Sequence, residues 1–114
     1  MITLKELCDY ARVTRRTIQG YEEKGLLKSV SKNKMGHLLY ENESIEQVNL
    51  IRFYQSIGFS LKEIKQFENM DSEDFKKLME EKIVTLQAES VLVKDKIKKI
   101  YSLIEEGTQF PWKE

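Results

Sequence analysis

Apolar residues recur at helical spacing along most of this chain, and the breaks between them fall on capping residues and glycines. Leu4, Leu7, Cys8 and Ala11 share one face of a first helix, opened by a capping box of Thr3 and Glu6. After a turn at Arg12 and Val13, Thr14 caps a second helix with Ile18 and Tyr21 inward, and Gly25 ends it. Two helices so short and so tightly joined predict a helix-turn-helix. Arg15, Arg16 and Gln19 fall on outward positions of the second helix, where base edges and phosphates would lie. Between Lys28 and Tyr40 the periodicity gives way to a polar, basic stretch, Ser29, Ser31, Lys32, Asn33, Lys34 and Gly36, followed by His37, Leu38, Leu39 and Tyr40. Its flanks either pair as a small hairpin or form a plain surface loop, and the pattern alone does not choose.

Ser44 and Gln47 predict a second capping box, followed by a helix with Ile45, Val48, Ile51 and Tyr54 in line and a stop at Gly58. Ser60 and Glu63 predict a third, opening a short helix with Leu61, Ile64 and Phe67 inward. The first amides of that helix, Ser60 to Lys62, offer a place for a phosphate, although capping is the commoner use of such a site. From Ser72 to about Glu106 there is neither glycine nor proline. Met79, Ile83, Leu86, Ser90, Val93, Ile97, Ile100 and Ile104 recur there at spacings of four and three, the pattern of a coiled-coil seam with one polar step at Ser90. The helix would run roughly 50 Å.

The chain holds no second long helix to cover this seam. Each large apolar side chain left in water forfeits about 1.5–3 kcal/mol. A homodimer zipped through this helix is therefore expected; in an antiparallel pair the two Ser90 copies sit near the two-fold axis, either fixing register or standing as a tolerated packing defect. Phe110 and Trp112, in the closing segment, are expected to dock on the body of this chain or of its partner.

Charge sharpens the picture. The net charge is zero, but residues 1–40 carry an excess of four positive charges and residues 41–114 an equal negative excess. The basic share coincides with the outward helix, which suits a phosphate backbone. The single cysteine, Cys8, lies on an apolar stripe, which argues for a buried small hydrophobe and against a disulfide or thiolate metal cluster within one chain. The single histidine, His37, has no acid fixed beside it, and neither a glycine-rich phosphate loop nor a metal-ligand cluster is present. An enzyme is disfavoured, and no metal or cofactor is expected. Without an apolar run of spanning length or a signal-peptide segment, a cytoplasmic location is expected.

The order of elements is similar to that of the MerR family of bacterial transcription regulators. The family's recognition helix commonly reads RTLRYYEEIGLL, matched here by Arg16, Thr17, Tyr21, Glu22, Glu23, Gly25, Leu26 and Leu27. Its wing, G-Y-R-L-Y, is matched by Gly36, Leu39 and Tyr40. Its next helical pair, I-R…LGFSLEEI, is matched by Ile51, Arg52, Gly58, Phe59, Ser60, Leu61, Glu63 and Ile64. The resemblance covers residues 2–70 and implies an all-α fold with a small β wing. A winged helix-turn-helix DNA-binding domain over 1–70 would be followed by an antiparallel coiled-coil dimerisation helix over 71–106 and a short tail, 107–114.

It further implies a sequence-specific regulator whose dimer binds a near-palindromic promoter operator in double-stranded DNA and distorts it, so that RNA polymerase can engage the promoter. Carried over by position, Thr14, Arg16 and Tyr21 are the expected DNA contacts, with Gln19 and the wing's His37 and Tyr40. Charge adds Arg15 and Lys34, and the third capped helix adds Ser60 and Lys62. Departures fall on the same side. Gln19 stands for the usual arginine, Gly20 for the first tyrosine, His37 and Leu38 for the wing's tyrosine and arginine, and Arg12 where the turn often has glycine. An altered operator preference or modest affinity is expected. Those departures also leave open a different function, an interaction adaptor whose module has drifted away from DNA. Metal-sensing relatives carry cysteines near the end of the long helix, which this chain lacks. Drug-binding relatives append a large C-terminal domain, for which the tail is too short. No effector is identified.

Overall fold

The computed structural model describes residues 1–105, which divide after Met70 into two compact units. The first runs β1 (Ile2–Thr3), α1 (Leu4–Ala11), α2 (Arg15–Glu23), β2 (Ser31–Lys32), β3 (Leu38–Tyr40), α3 (Ser44–Ser56) and α4 (Leu61–Gln66), and closes on a 3₁₀ turn at Phe67–Asn69. The second unit is one helix, α5 (Ser72–Glu105). Phe110 and Trp112 lie outside the described residues.

Local sequence sets most helix starts. Thr3 and Glu6 form the expected reciprocal box on α1 (3.1 and 3.2 Å), and Ser60 and Glu63 do the same on α4 (3.0 and 3.1 Å). Thr14 is extended and accepts from the Thr17 amide at 3.2 Å. The Ser44–Gln47 box does not form. Ser44 is itself buried as the first residue of α3, and Glu43 before it is already helical (φ −60°, ψ −19°). A box needs an extended N-cap, so drawing Ser44 into the core removes the geometry. Turn bonds from Ser44 to Glu41 and from Ile45 to Asn42 open the helix instead. At α5 the cap is Asp71, whose carboxylate accepts from the Asp74 amide at 2.8 Å.

Leu7, Ile18, Val48 and Tyr40 are the largest fully buried side chains, so α1, α2, α3 and β3 meet in one small core. Each apolar one contributes about 1.5–3 kcal/mol by leaving water. Tyr54, Phe59 and Phe67 pack edge to face around the end of α3, with centroids 5.0–6.4 Å apart.

The polar stretch after α2 is a hairpin, and a strand that the sequence pattern did not predict completes its sheet. β1 and β2 flank β3 in the order β1-β3-β2, all antiparallel, with Ile2 opposite Tyr40 and Ser31 opposite Leu39. A two-residue strand has no periodicity to read. It forms because Ile2 is buried and β3 offers a second edge.

Between α1 and α2 the chain turns through Arg12 in the left-handed region (φ 56°, ψ 48°), where its own amide and that of Val13 donate to Cys8 O. Such backbone costs a residue with a Cβ about 1–2 kcal/mol. Arg12 is the one non-glycine residue with positive φ among those described.

Candidate nucleic-acid interface

Burying Ile18 and Tyr21 fixes the roll of α2, and with it the positions turned to solvent. Arg15, Arg16 and Gln19 are exposed, as is Thr14 at the cap, where its hydroxyl also lies 3.0 Å from that of Thr17. The wing tip is held by one side chain. Asn33 Oδ1 accepts from the amides of both Met35 and His37 at 3.0 Å, and Gly36 supplies the positive φ that the turn needs (81°). Lys34 and His37 are thereby presented in solvent at the tip.

Three hydrogen bonds tie this face to the body. The Tyr40 hydroxyl donates to the Glu22 carboxylate, linking β3 of the wing to α2. Burial, then the hydrogen bond to Glu22 and the Glu22 charge, hold the Tyr40 phenol far above the ordinary tyrosine range. Tyr21 OH donates to Gln55 Oε1 at 2.8 Å, joining α2 to α3. Burial raises the Tyr21 phenol as well, with the Arg52 charge acting against it. Arg52 Nη1 donates to Ala11 O at 2.9 Å, so α3 latches the last turn of α1 just before the left-handed Arg12.

Two openings lie along the exposed face. The larger, a cleft of 660 Å³, is lined by Arg12, Arg16 and Arg52 together with Thr14, Gly20 and Ser56 among others. The smaller, 470 Å³, runs between the start of α1, the start of α2 and the wing, and brings Lys5, Arg15 and His37 together.

Of the residues expected at a DNA surface, Thr14, Arg15, Arg16, Gln19, Lys34 and His37 lie outward on this face. Tyr21 and Tyr40 do not. They are 2% and 0% exposed, and both hydroxyls are committed within the protein. Their rings fill the core that α2 and β3 share, so their place in the chain speaks first of packing. Ser60 and Lys62 are exposed at the start of α4, with the Ser60 hydroxyl spent on its capping box. Lys5, Arg12 and Arg52 join the basic face without having been predicted there. Sequence marked Arg12 only as an unusual turn residue and Arg52 only as a match to the helical-pair motif, and nothing local distinguishes Lys5 from other surface cations.

On α5, Met79 is half-buried, while Ile83, Leu86, Val93, Ile97, Ile100 and Ile104 are 43–68% exposed and Ser90 is exposed as well. Among the described residues the seam beyond Met79 is thus left exposed. Cys8 is buried, and burial pushes its thiol up. No cluster of His, Cys, Asp and Glu able to hold a metal occurs among the described residues, and no described helix is long and apolar enough to cross a membrane.

Comparison with known proteins agrees with this architecture. The sequence model of a family described as MerR HTH family regulatory protein matches residues 2–71. The nodulation protein NolA of Bradyrhizobium elkanii is 41% identical over 61 residues, which are 54% of this chain and 28% of that protein. The chain thus spans less than a third of that relative's length. The N-terminal part of MtaN, the multidrug transporter activator of Bacillus subtilis, superposes with a TM-score of 0.79 at 24% identity, over 91% of this chain and 98% of that one. HiNmlR, a MerR family regulator lacking the sensor domain and solved bound to promoter DNA, superposes with a TM-score of 0.62 at 19% identity, over 90% of this chain and 86% of that one. At these identities the likeness of the two structures is one of fold.

Proposed function

The chain belongs to the MerR HTH family of regulatory proteins, and on that premise we propose that it regulates transcription as a homodimer bound to a near-palindromic promoter operator. Residues 1–70 are the DNA-binding domain, and the long helix that follows pairs with a second copy. Arg15 and Gln19 on α2 enter the major groove, Thr14 and Arg16 sit at the adjacent backbone, and Lys34 and His37 bring the wing to the neighbouring phosphates. Ser60 and Lys62 lie at the edge of the contact. The antiparallel seam from Met79 to Ile104 spaces the two heads along one duplex. Distortion of the operator, compensated by the added contacts, couples binding to RNA polymerase at the promoter.

One observation carries the reading: a basic, capped, outward-facing helix stands in a winged helix-turn-helix whose attached long helix leaves its apolar seam uncovered. Selection of operators from random duplexes by the purified protein, followed by a salt titration, tests it. A selected sequence with two symmetric half-sites and a steep loss of affinity with salt is expected. Binding that ignores sequence at every salt concentration would refute it.

A further inference from the structure

Two departures from the family pattern, far apart in meaning when read as sequence, meet in space. Arg12 stands where glycine is usual, and Gly20 where a tyrosine is usual. Both line the 660 Å³ cleft at the start of α2. One adds a guanidinium and the other removes a large side chain. A Cβ built on Gly20 meets nothing within 4 Å, so the space beside it is open.

The chemistry of the lining is one-sided. Arg12, Arg16 and Arg52 contribute three cations, Thr14, Thr17 and Ser56 contribute hydroxyls, and no carboxylate takes part. Among the described residues, the Lys65–Glu68 and Lys99–Asp95 ion pairs form away from this cleft, and no acid lines it beside Arg12 and Arg16. Arg52 is oriented by Ala11 O, which leaves the rest of its guanidinium uncommitted to an acid. The Thr14-capped first turn of α2 opens at the same place, with the positive end of its dipole there. The chain also accepts left-handed backbone at Arg12, which glycine would adopt without strain.

We propose that this cleft is an anion site for a backbone phosphate of duplex DNA, with Arg12 as a phosphate ligand. The inference rests on the DNA-binding reading and deepens it. Arg12 and Arg16 grip the phosphate from two sides of the turn, and the absent tyrosine at Gly20 leaves it room to enter. The cation missing from the wing at Leu38 is thus supplied from the helix-turn-helix turn.

Arg12→Gly is the decisive variant, because a structural role and a binding role move it in opposite directions. Anisotropy titrations of a selected operator and of a scrambled duplex from roughly 50 to 200 mM salt are run beside thermal melts of the free protein. Glycine fits the left-handed turn, so the variant melts no lower than the natural protein. It binds about tenfold more weakly, equally on both duplexes, with a log–log salt slope shallower by about one. Gly20→Tyr refills the cleft, reproduces the loss and makes Arg12→Gly silent in its background. Unchanged affinity and slope in Arg12→Gly, while the natural protein still selects an operator, would overturn the cleft and leave DNA binding intact. A natural protein that selects no sequence would instead overturn the reading beneath it. Inorganic phosphate that raises the melting temperature of the natural protein but not of Arg12→Gly, with duplex affinity equal in both, would assign the cleft to a free anion and refute the DNA form of the proposal.

Discussion

Replacing Tyr40 by phenylalanine keeps the buried ring and removes one atom, the hydroxyl that donates to Glu22. Tyr40 is fully buried, so the lost partner is not replaced by water on the tyrosine side. A hydrogen bond to a charged acceptor contributes about 1.5–3 kcal/mol, and Glu22 is half-buried, so water recovers part of the loss on its side. The lower end, about 1.5–2 kcal/mol, is therefore expected. For a domain of this size that corresponds to a fall in Tm on the order of 10 °C.

The bond joins wing to recognition helix, so Glu22→Gln and the double variant complete a thermodynamic cycle. Once Tyr40→Phe is in place, Glu22→Gln should cost little more, giving a coupling of about 1–2 kcal/mol. The alkaline limb supplies a second readout. An unfolded tyrosine ionises near pH 10, and burial with Glu22 raises the folded Tyr40 above that. The folded state then holds the proton longer, so the contribution is complete below about pH 10 and shrinks as pH rises through the folded value. Cys8 and Tyr21 shift the same way but remain in both proteins, so the difference between natural protein and variant isolates Tyr40. Urea midpoints followed by circular dichroism from neutral pH to above pH 10 measure it. An unchanged midpoint at neutral pH, or a difference that widens above pH 10, would refute the reasoning.

Arg52→Ala should lower stability by about 1–2 kcal/mol through loss of its bond to Ala11 O, read from the same urea midpoints, whereas loss of a surface cation alone would leave them within about 0.5 kcal/mol. Asn33→Ala should free the Met35 and His37 amides, so that hydrogen exchange speeds at the wing tip while the amides of α3 keep their protection. Ile97→Asp should separate the proposed dimer, and sedimentation at micromolar concentration that still finds two intact copies together would reject this assignment of the seam.

The proposed phosphate cleft bears on how such a module tolerates change at the face proposed to meet DNA. Leu38 in place of a wing arginine reads as a loss when the wing is considered alone. With Arg12 of the turn and Gly20 of α2 lining one opening, charge and space lie together beside the helix-turn-helix turn. A change of operator preference need not be a loss of affinity.

Helix starts at Thr3, Thr14 and Ser60 were legible because a capping bond joins residues three apart and needs no other part of the fold. The same locality made the α5 seam readable, since four-and-three spacing lines up one face of any straight helix. Whatever joins distant positions was not legible. Tyr21 meets Gln55 across 34 residues, Tyr40 meets Glu22 across 18, and Arg52 meets Ala11 across 41. Those partners follow from which faces the shared core draws together, and the same packing pulled Ser44 inward and cancelled its predicted box. Tertiary packing likewise committed the hydroxyls of Tyr21 and Tyr40, both expected at DNA, to partners within the protein, and it assembled Arg12 and Arg52 with Arg16 and Lys5 with Arg15. Local hydrogen bonding and periodicity determined the elements, whereas burial of side chains far apart in the chain decided which residues face outward.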